Sequence, residues 1–200
     1  MRKSGDERRE EIVQAVLDLA AETGVKQLTT QAIADRVGIA QPTVFRHFAS
    51  RDAILRAVME TVGSTMLALV TGVLAGHGPA DQKLQQLLAR QLRFISRRRG
   101  ISRVLFSERL HHEDPELKAI VRRMMEAYTD KVAGLVAEGQ SSGRFRPGLD
   151  SHHTAVMILA LVQGLVVRWS ISDFTFDLDS QDEALWALLS PALLVRGGAA

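Results

Sequence analysis

The sequence predicts an all-α protein, with a small N-terminal set of three helices followed by a larger helical body, about nine to ten helices in all. Three observations carry this. Apolar residues recur at helical spacing along nearly the whole chain. No alternating run of useful length reads as a strand. Helix starts and stops punctuate the pattern throughout. The 200 residues are 46% hydrophobic and 24% charged, the balance of a folded chain rather than a disordered one. There is no cysteine, which removes disulfides, thiolate nucleophiles and cysteine-ligated metal sites and suits a reducing compartment. Met1–Glu11 is highly charged with no apolar stretch behind it, so no signal peptide is expected. The greasiest stretch, Ala155–Trp169, is interrupted by Gln163 and is short for a bilayer. The expected location is cytoplasmic, without a membrane partner.

The elements follow in order. Ile12, Val13, Val16, Leu17 and Ala20 form one helix face, Ser4-x-x-Glu7 offers a capping box before it, and Gly24 a left-handed stop. Thr29 or Thr30 caps a short helix at about 30–37. Gly38 supplies a tight turn, and Pro42 sits in the first turn of a helix at about 41–47. A longer helix starts near 51 and runs to the low 70s, before the break at Gly76-His-Gly-Pro79. Helix resumes at about 81–98, with Arg97–Gly100 as its last turn, where cations complement the dipole. A short helix is expected at about 102–110. Asp114 caps, and Pro115 opens, a helix reaching about Gly139. Residues 140–148 read as a loop, and two helices at about 151–171 and 181–195 close the chain. Ser180-x-x-Glu183 offers a capping box for the last, and Pro191 is placed to kink it. Asp173–Asp179 reads as loop. The expected domains are 1–50 and 51–200.

The informative segment is Leu28–Phe48. Ile33, Val37, Ile39, Val44 and Phe48 supply a small core, and Ala34 is small where a second helix must cross closely. Together with Gly38 and Pro42 this is a helix-turn-helix, whose second helix enters a DNA major groove and offers its N-terminal residues to base edges. The pattern Thr30-x-x-Ile33-Ala34-x-x-Val37-Gly38-Ile39-x-x-x-Thr43-x-Phe45-x-His47-Phe48-x-Ser50-Arg51-x-x-Ile54-Leu55 resembles the DNA-binding domain of the TetR family of transcriptional regulators. Gln41-Pro42-Thr43 matches the recognition-helix triplet of the family's founding tetracycline repressor. The resemblance covers about residues 9–56; beyond that it is one of length and helix layout.

The resemblance implies roles, split between positioning and readout. Gln31, Ala40, Gln41, Pro42 and Thr43 face base edges. Thr30, Arg46, His47 and Arg51 face phosphates, with Arg46 also able to reach a base. The family usually has Tyr where this chain has Phe45, whose ring packs on the sugar-phosphate wall without donating a bond, and Lys where it has Arg51. Gln31 stands where the founding repressor has a guanine-reading Arg, and Gln prefers adenine. Between residues 36 and 56 four Arg stand against one Asp, which places a basic face at the reader.

One half-site offers too few contacts for tight binding. The resemblance implies a homodimer through the last two helices and hence a palindromic operator on double-stranded DNA. The expected interface is Val156, Leu159, Ala160, Gly164, Leu185, Leu188, Leu189 and Leu193; the alternative is that these residues fill the core of one chain. The body is expected to hold a pocket for a small hydrophobic effector, lined by Met66, Leu92, Phe94, Phe106, Met124, Met125, Tyr128, Gln163 and Trp169, with Tyr128 and Gln163 as polar handles. Such residues at helical spacing also read as ordinary core. No cofactor is expected. His111-His112-Glu113-Asp114 and His152-His153 lack the i, i+4 spacing of metal ligands. No activated nucleophile, phosphate loop or dinucleotide fingerprint marks an enzyme. The leading reading is a ligand-released repressor. The alternative is a chromosome-bound architectural factor, because Ala160-Leu-Val-Gln-Gly-Leu-x-x-Arg168-x-x-x-Ser172-x-Phe174-x-Phe176 resembles the nucleoid-occlusion branch over a short apolar stretch.

Overall fold

The computed structural model describes residues 4–107 and 109–195. Among them are nine α-helices: α1 (Gly5–Thr23), α2 (Thr30–Val37), α3 (Gln41–His47), α4 (Arg51–Leu74), α5 (Ala80–Ser96), α6 (Gly100–Leu105), α7 (Pro115–Ser141), α8 (Ser151–Ile171) and α9 (Gln181–Leu193). A 3-10 turn spans Val25–Gln27 and a π-type turn Arg109–Glu113. The chain divides into two compact units. One combines residues 1–64 with 97–123, the other 65–96 with 124–200. The first half of α4, all of α6 and the start of α7 belong to the same unit as α1–α3.

In the first unit, the capping box of α1 forms as its sequence requires. Glu7 N–H donates to Ser4 Oγ at 3.1 Å and Ser4 N–H to Glu7 Oε2 at 2.7 Å. One face of α1 buries Ile12, Val13, Val16, Leu17 and Ala20. Gly100 does not end α5 as its position after three arginines suggests. It opens α6, where the helix crosses α1 so closely that a Cβ at Gly100 would stand 2.0 Å from the Leu17 carbonyl oxygen. Only a residue without a side chain permits that crossing. Helix α6 stops at Leu105, short of the expected 110, and a π-type turn follows at Arg109–Glu113. Asp114 caps α7 as expected, accepting from Leu117 N–H at 2.9 Å.

In the second unit, α5 packs against α8 and α9. Leu185, Leu189 and Leu193, one face of α9, are buried there. The α7–α8 loop is pinned at its centre. The Phe145 ring is fully buried against Gly139, where a Cβ would lie 2.1 Å from it. Arg146 N–H donates to Leu193 O at 2.9 Å and Val195 N–H to Arg144 O at 3.1 Å, tying the loop to the end of α9. The capping box expected at Ser180 does not form. Its hydroxyl donates instead to Asp177 O at 3.0 Å, inside the preceding turn. The apolar run read as Ala155–Trp169 belongs to a helix of 21 residues, so α8 is, with α4, long and apolar enough to cross a membrane by length and composition.

Candidate nucleic-acid interface

Helix α2 begins at a Thr29 cap, whose Oγ accepts from Ala32 N–H at 3.0 Å. It ends at Gly38, whose φ of 73° and ψ of 40° are left-handed. That turn returns the chain so that α3 packs on α2. Helix α3 has seven residues and Pro42 in its first turn, where the missing N–H is harmless. Val44 is fully buried and anchors α3 from below. The opposite edge is open: Gln31, Ala40, Pro42, Phe45 and Arg46 are exposed, and Gln41, Thr43 and His47 are half-buried. The structure thus brings the expected base-facing residues onto one edge of one unit.

Two side-chain amides on this edge are already held. Gln41 Nε2 donates to Thr30 Oγ at 2.8 Å, across the turn. Gln31 Nε2 donates to Asp35 Oδ1 at 2.7 Å, one helical turn away. Arg9, which the sequence reading did not single out, supports α3 from behind. Its guanidinium donates to the His47 carbonyl and stacks 4.2 Å over the centroid of Phe48, a cation–π contact that also closes the C-terminal end of the helix.

The basic face of the reader is partly spent on partners within its own unit. Three of the four arginines counted between 36 and 56 are engaged inside their unit. Arg36 forms a fork with Glu22 at 3.1 and 2.5 Å; that bond lowers the Glu22 pKa and raises that of Arg36. Arg51 donates to the Val25 carbonyl, which ties α4 to the turn after α1 and leaves its charge in place. Arg56 donates to Asp114 and Glu116. Arg46 stays exposed on α3. A count along the sequence misses this because every partner lies 14 to 60 positions away or is a backbone atom.

The residues expected to pair chains divide in two. Leu159, Leu185, Leu189 and Leu193 are buried within one chain, where α8 and α9 pack on α5. Ala160, Gly164 and Leu188 are exposed, and Val156 is half-buried. Ala160, Gly164, Leu185 and Leu188 line an open groove of about 380 Å³ between α8 and α9, together with Leu161, Leu165, Arg168, Gln181 and Ala184. Met157, Leu161 and Ile171 are also exposed on α8 and were absent from the expected set.

Of the residues expected around an effector, Met66, Leu92, Phe94, Tyr128 and Trp169 are buried and Met124 is half-buried in the second unit. Phe106 lies in the first unit and is exposed. Gln163 Nε2 meets Met125 Sδ at 3.7 Å. Tyr128 Oη donates to Gln91 Oε1 at 2.5 Å; both are buried, and burial pushes the Tyr128 pKa well above its ordinary value. Gln91 was not anticipated: it lies among apolar residues and its partner is 37 positions away. Trp169 is committed to the following loop, its Nε1 donating to Phe176 O at 3.0 Å and its ring packing edge-to-face on Phe174. The His111 side chain lies outside the described residues. His152 and His153 are exposed, and the His153 N–H caps onto Asp150, the main cause lowering that carboxyl's pKa.

Residues 12–58 match the family model "Bacterial regulatory proteins, tetR family", and residues 63–192 match "YsiA-like protein, C-terminal region". The nucleoid occlusion factor SlmA of Vibrio atlanticus is 27% identical over 185 residues, 92% of this chain and 94% of its own. Two solved structures share the fold. FadR of Bacillus subtilis in complex with stearoyl-CoA has a TM-score of 0.80 and 21% identity, covering 92% of this chain and 98% of its own. A transcriptional regulator of Saccharomonospora viridis in complex with choline has a TM-score of 0.83 and 21% identity, covering 96% and 100%. With the helix-turn-helix edge matched by one model and most of the remaining chain by the other, this protein belongs to the TetR family of bacterial DNA-binding transcriptional regulators.

Proposed function

We propose that this chain works as a homodimeric repressor of a palindromic operator, released by a small hydrophobic effector, in the cytoplasm. The observation that carries the reading is the α2–α3 edge, where Gln31, Ala40, Gln41, Pro42 and Thr43 converge around the left-handed turn at Gly38. Thymine methyls suit Ala40, Pro42 and the Thr43 methyl, and the Gln31 and Gln41 amides suit adenine. Thr30, Arg46, His47 and Arg51 serve the phosphates, with Arg46 also able to reach a base.

Pairing follows from the exposed apolar residues of α8 and α9. Met157 and Leu188 are more than half exposed in one chain. Gly164 has nothing within 4 Å of where a Cβ would stand, so a second helix can approach there. A second copy covering this face by two-fold symmetry sets two readers side by side and requires a palindrome. The effector enters the apolar second unit near Tyr128 and Gln163. Helices α4 and α7 each run from one unit into the other, so a shift of either carries effector binding to the reader, provided the effector favours the released state by a few kcal/mol.

The test is genome-wide capture of fragmented DNA by the purified protein at fixed salt, beside a Gln41→Ala/Thr43→Ala double variant. A few palindromic sites lost in the variant support the repressor. The relation to SlmA over 92% of the chain favours a second reading, a chromosome-bound factor with many scattered sites, and the same experiment counts them. Binding indifferent to sequence and to the double variant overturns both.

A further inference from the structure

Thr30 and Gln41 open the two helices of the reader, and a single hydrogen bond joins them. Thr29, not Thr30, caps α2, so the Thr30 hydroxyl is left for other use. It accepts from Gln41 Nε2 at 2.8 Å. A hydroxyl has one proton to donate and two lone pairs to accept with, whereas a side-chain amide carries a donor at one end and an acceptor at the other. Whichever end Thr30 holds decides which end faces outward.

We propose that Thr30 is a positioning residue that fixes the orientation of the Gln41 amide, and so sets which base Gln41 reads. The inference rests on α2–α3 being the DNA interface. On DNA the Thr30 proton is committed to a phosphate oxygen, so the hydroxyl can only accept from Gln41. The amide nitrogen is then held inward and Oε1 faces the groove. An outward carbonyl oxygen accepts from an amino group, which adenine and cytosine present in the major groove. It opposes the O6 of guanine and the O4 of thymine, which are acceptors themselves. Without the hydroxyl the amide is free to turn over, and its nitrogen can then serve guanine or thymine. Thr30 thus governs specificity at a base it never touches.

The test is selection of binding sites from randomised duplex DNA with the full chain, at one salt concentration, comparing the unaltered protein with Thr30→Ser, Thr30→Val and Gln41→Ala. Gln41→Ala identifies the operator position that Gln41 reads. The expected result there is adenine or cytosine with the unaltered protein and with Thr30→Ser, and a preference weakened at least about fivefold with Thr30→Val while other positions keep theirs. Thermal melts establish that each variant is folded. If Thr30→Val keeps the unaltered preference, loses preference evenly at all positions, or the position proves to be guanine or thymine, the positioning role is overturned while the interface stands. If Gln41→Ala changes no position, the reading of the interface itself fails.

Discussion

Arg56 and Asp114 stand 58 positions apart and meet in a forked ion pair, with Nε 3.1 and 3.2 Å from the two carboxylate oxygens and Nη2 3.0 Å from Oδ1. Asp114 is buried, and the same Oδ1 caps α7 through Leu117 N–H. One carboxylate therefore starts α7 and fastens it to the second turn of α4, and Glu116 adds a further contact to Arg56.

Breaking this fork destabilises the first unit. Arg56→Met keeps the apolar stem but leaves a buried carboxylate without its cation. The expected loss is about 1–3 kcal/mol, measured as a lower urea midpoint. Asp114→Ala loses the fork and the cap together and falls further. Equal midpoints for Arg56→Met and the unaltered protein would discard the role given to the pair.

Three glycines separate close approach from mere permissiveness. Gly100→Ala drives a methyl into the Leu17 carbonyl, and Gly139→Ala drives one into the Phe145 ring. Each is expected to lower stability by about 1–3 kcal/mol or more. Gly134, within α7, has nothing within 4 Å, so Gly134→Ala should be neutral or gain about 0.5–1 kcal/mol. Thermal melts of the three variants order them directly.

Phe45 is about half exposed on α3. Phe45→Tyr adds a hydroxyl at the edge of the ring and should restore a phosphate hydrogen bond. Operator binding tightens by about 1 kcal/mol, roughly fivefold, by titration at fixed salt. Unchanged or weaker affinity would mean that the ring does not face the backbone of the DNA.

Leu188 is 64% exposed at the rim of the α8–α9 groove. Leu188→Glu places a charge where a second copy is proposed to pack, at little cost to the isolated chain. Sedimentation should show a dimer for the unaltered protein and a monomer for the variant, with binding to the full palindrome much reduced. A variant that remains dimeric would move the interface elsewhere.

Asp81 carries a pH signature. Its hydrogen bond from Arg144 at 2.6 Å is the main cause holding its pKa below the ordinary 3.8. The charged form is favoured by folding, so this stability is fully present above the ordinary value and lost as pH falls through the lower, folded one. The difference in urea midpoint between the unaltered protein and Arg144→Gln should be constant near neutral pH and shrink as the pH falls below the ordinary carboxylate value and through the lower, folded one. A difference that persists in acid would assign the effect to packing of the arginine stem.

What the sequence made legible was local. The Ser4–Glu7 box, the Thr29 cap, the left-handed Gly38 and Pro42 in a first turn are each written within four residues, and all formed. The exposed edge of the reader followed from them. What stayed hidden depends on partners remote in sequence. Arg9 on His47 and Phe48, Arg51 on Val25, Arg56 on Asp114 and Gln91 on Tyr128 each join groups at least 26 positions apart. Ser180 failed for a local reason that pattern alone cannot rank, a turn competing for the same hydroxyl. The leucines of α9 show a further limit: an apolar stripe is the same in sequence whether it faces α5 or a second chain.

The inward use of Arg36 and Arg56 has a consequence for how occupancy responds to ionic conditions. Each phosphate neutralised by a side chain displaces condensed counterions from DNA, and the affinity then falls steeply with added salt. A reader in which Arg36 and Arg56 already hold Glu22, Asp114 and Glu116 is expected to displace fewer than its arginine count suggests, with Arg46 and Arg51 left for the phosphates. The salt slope of operator binding is then expected to be shallower than phosphate contacts from all four arginines would give, which titration at two salt concentrations measures.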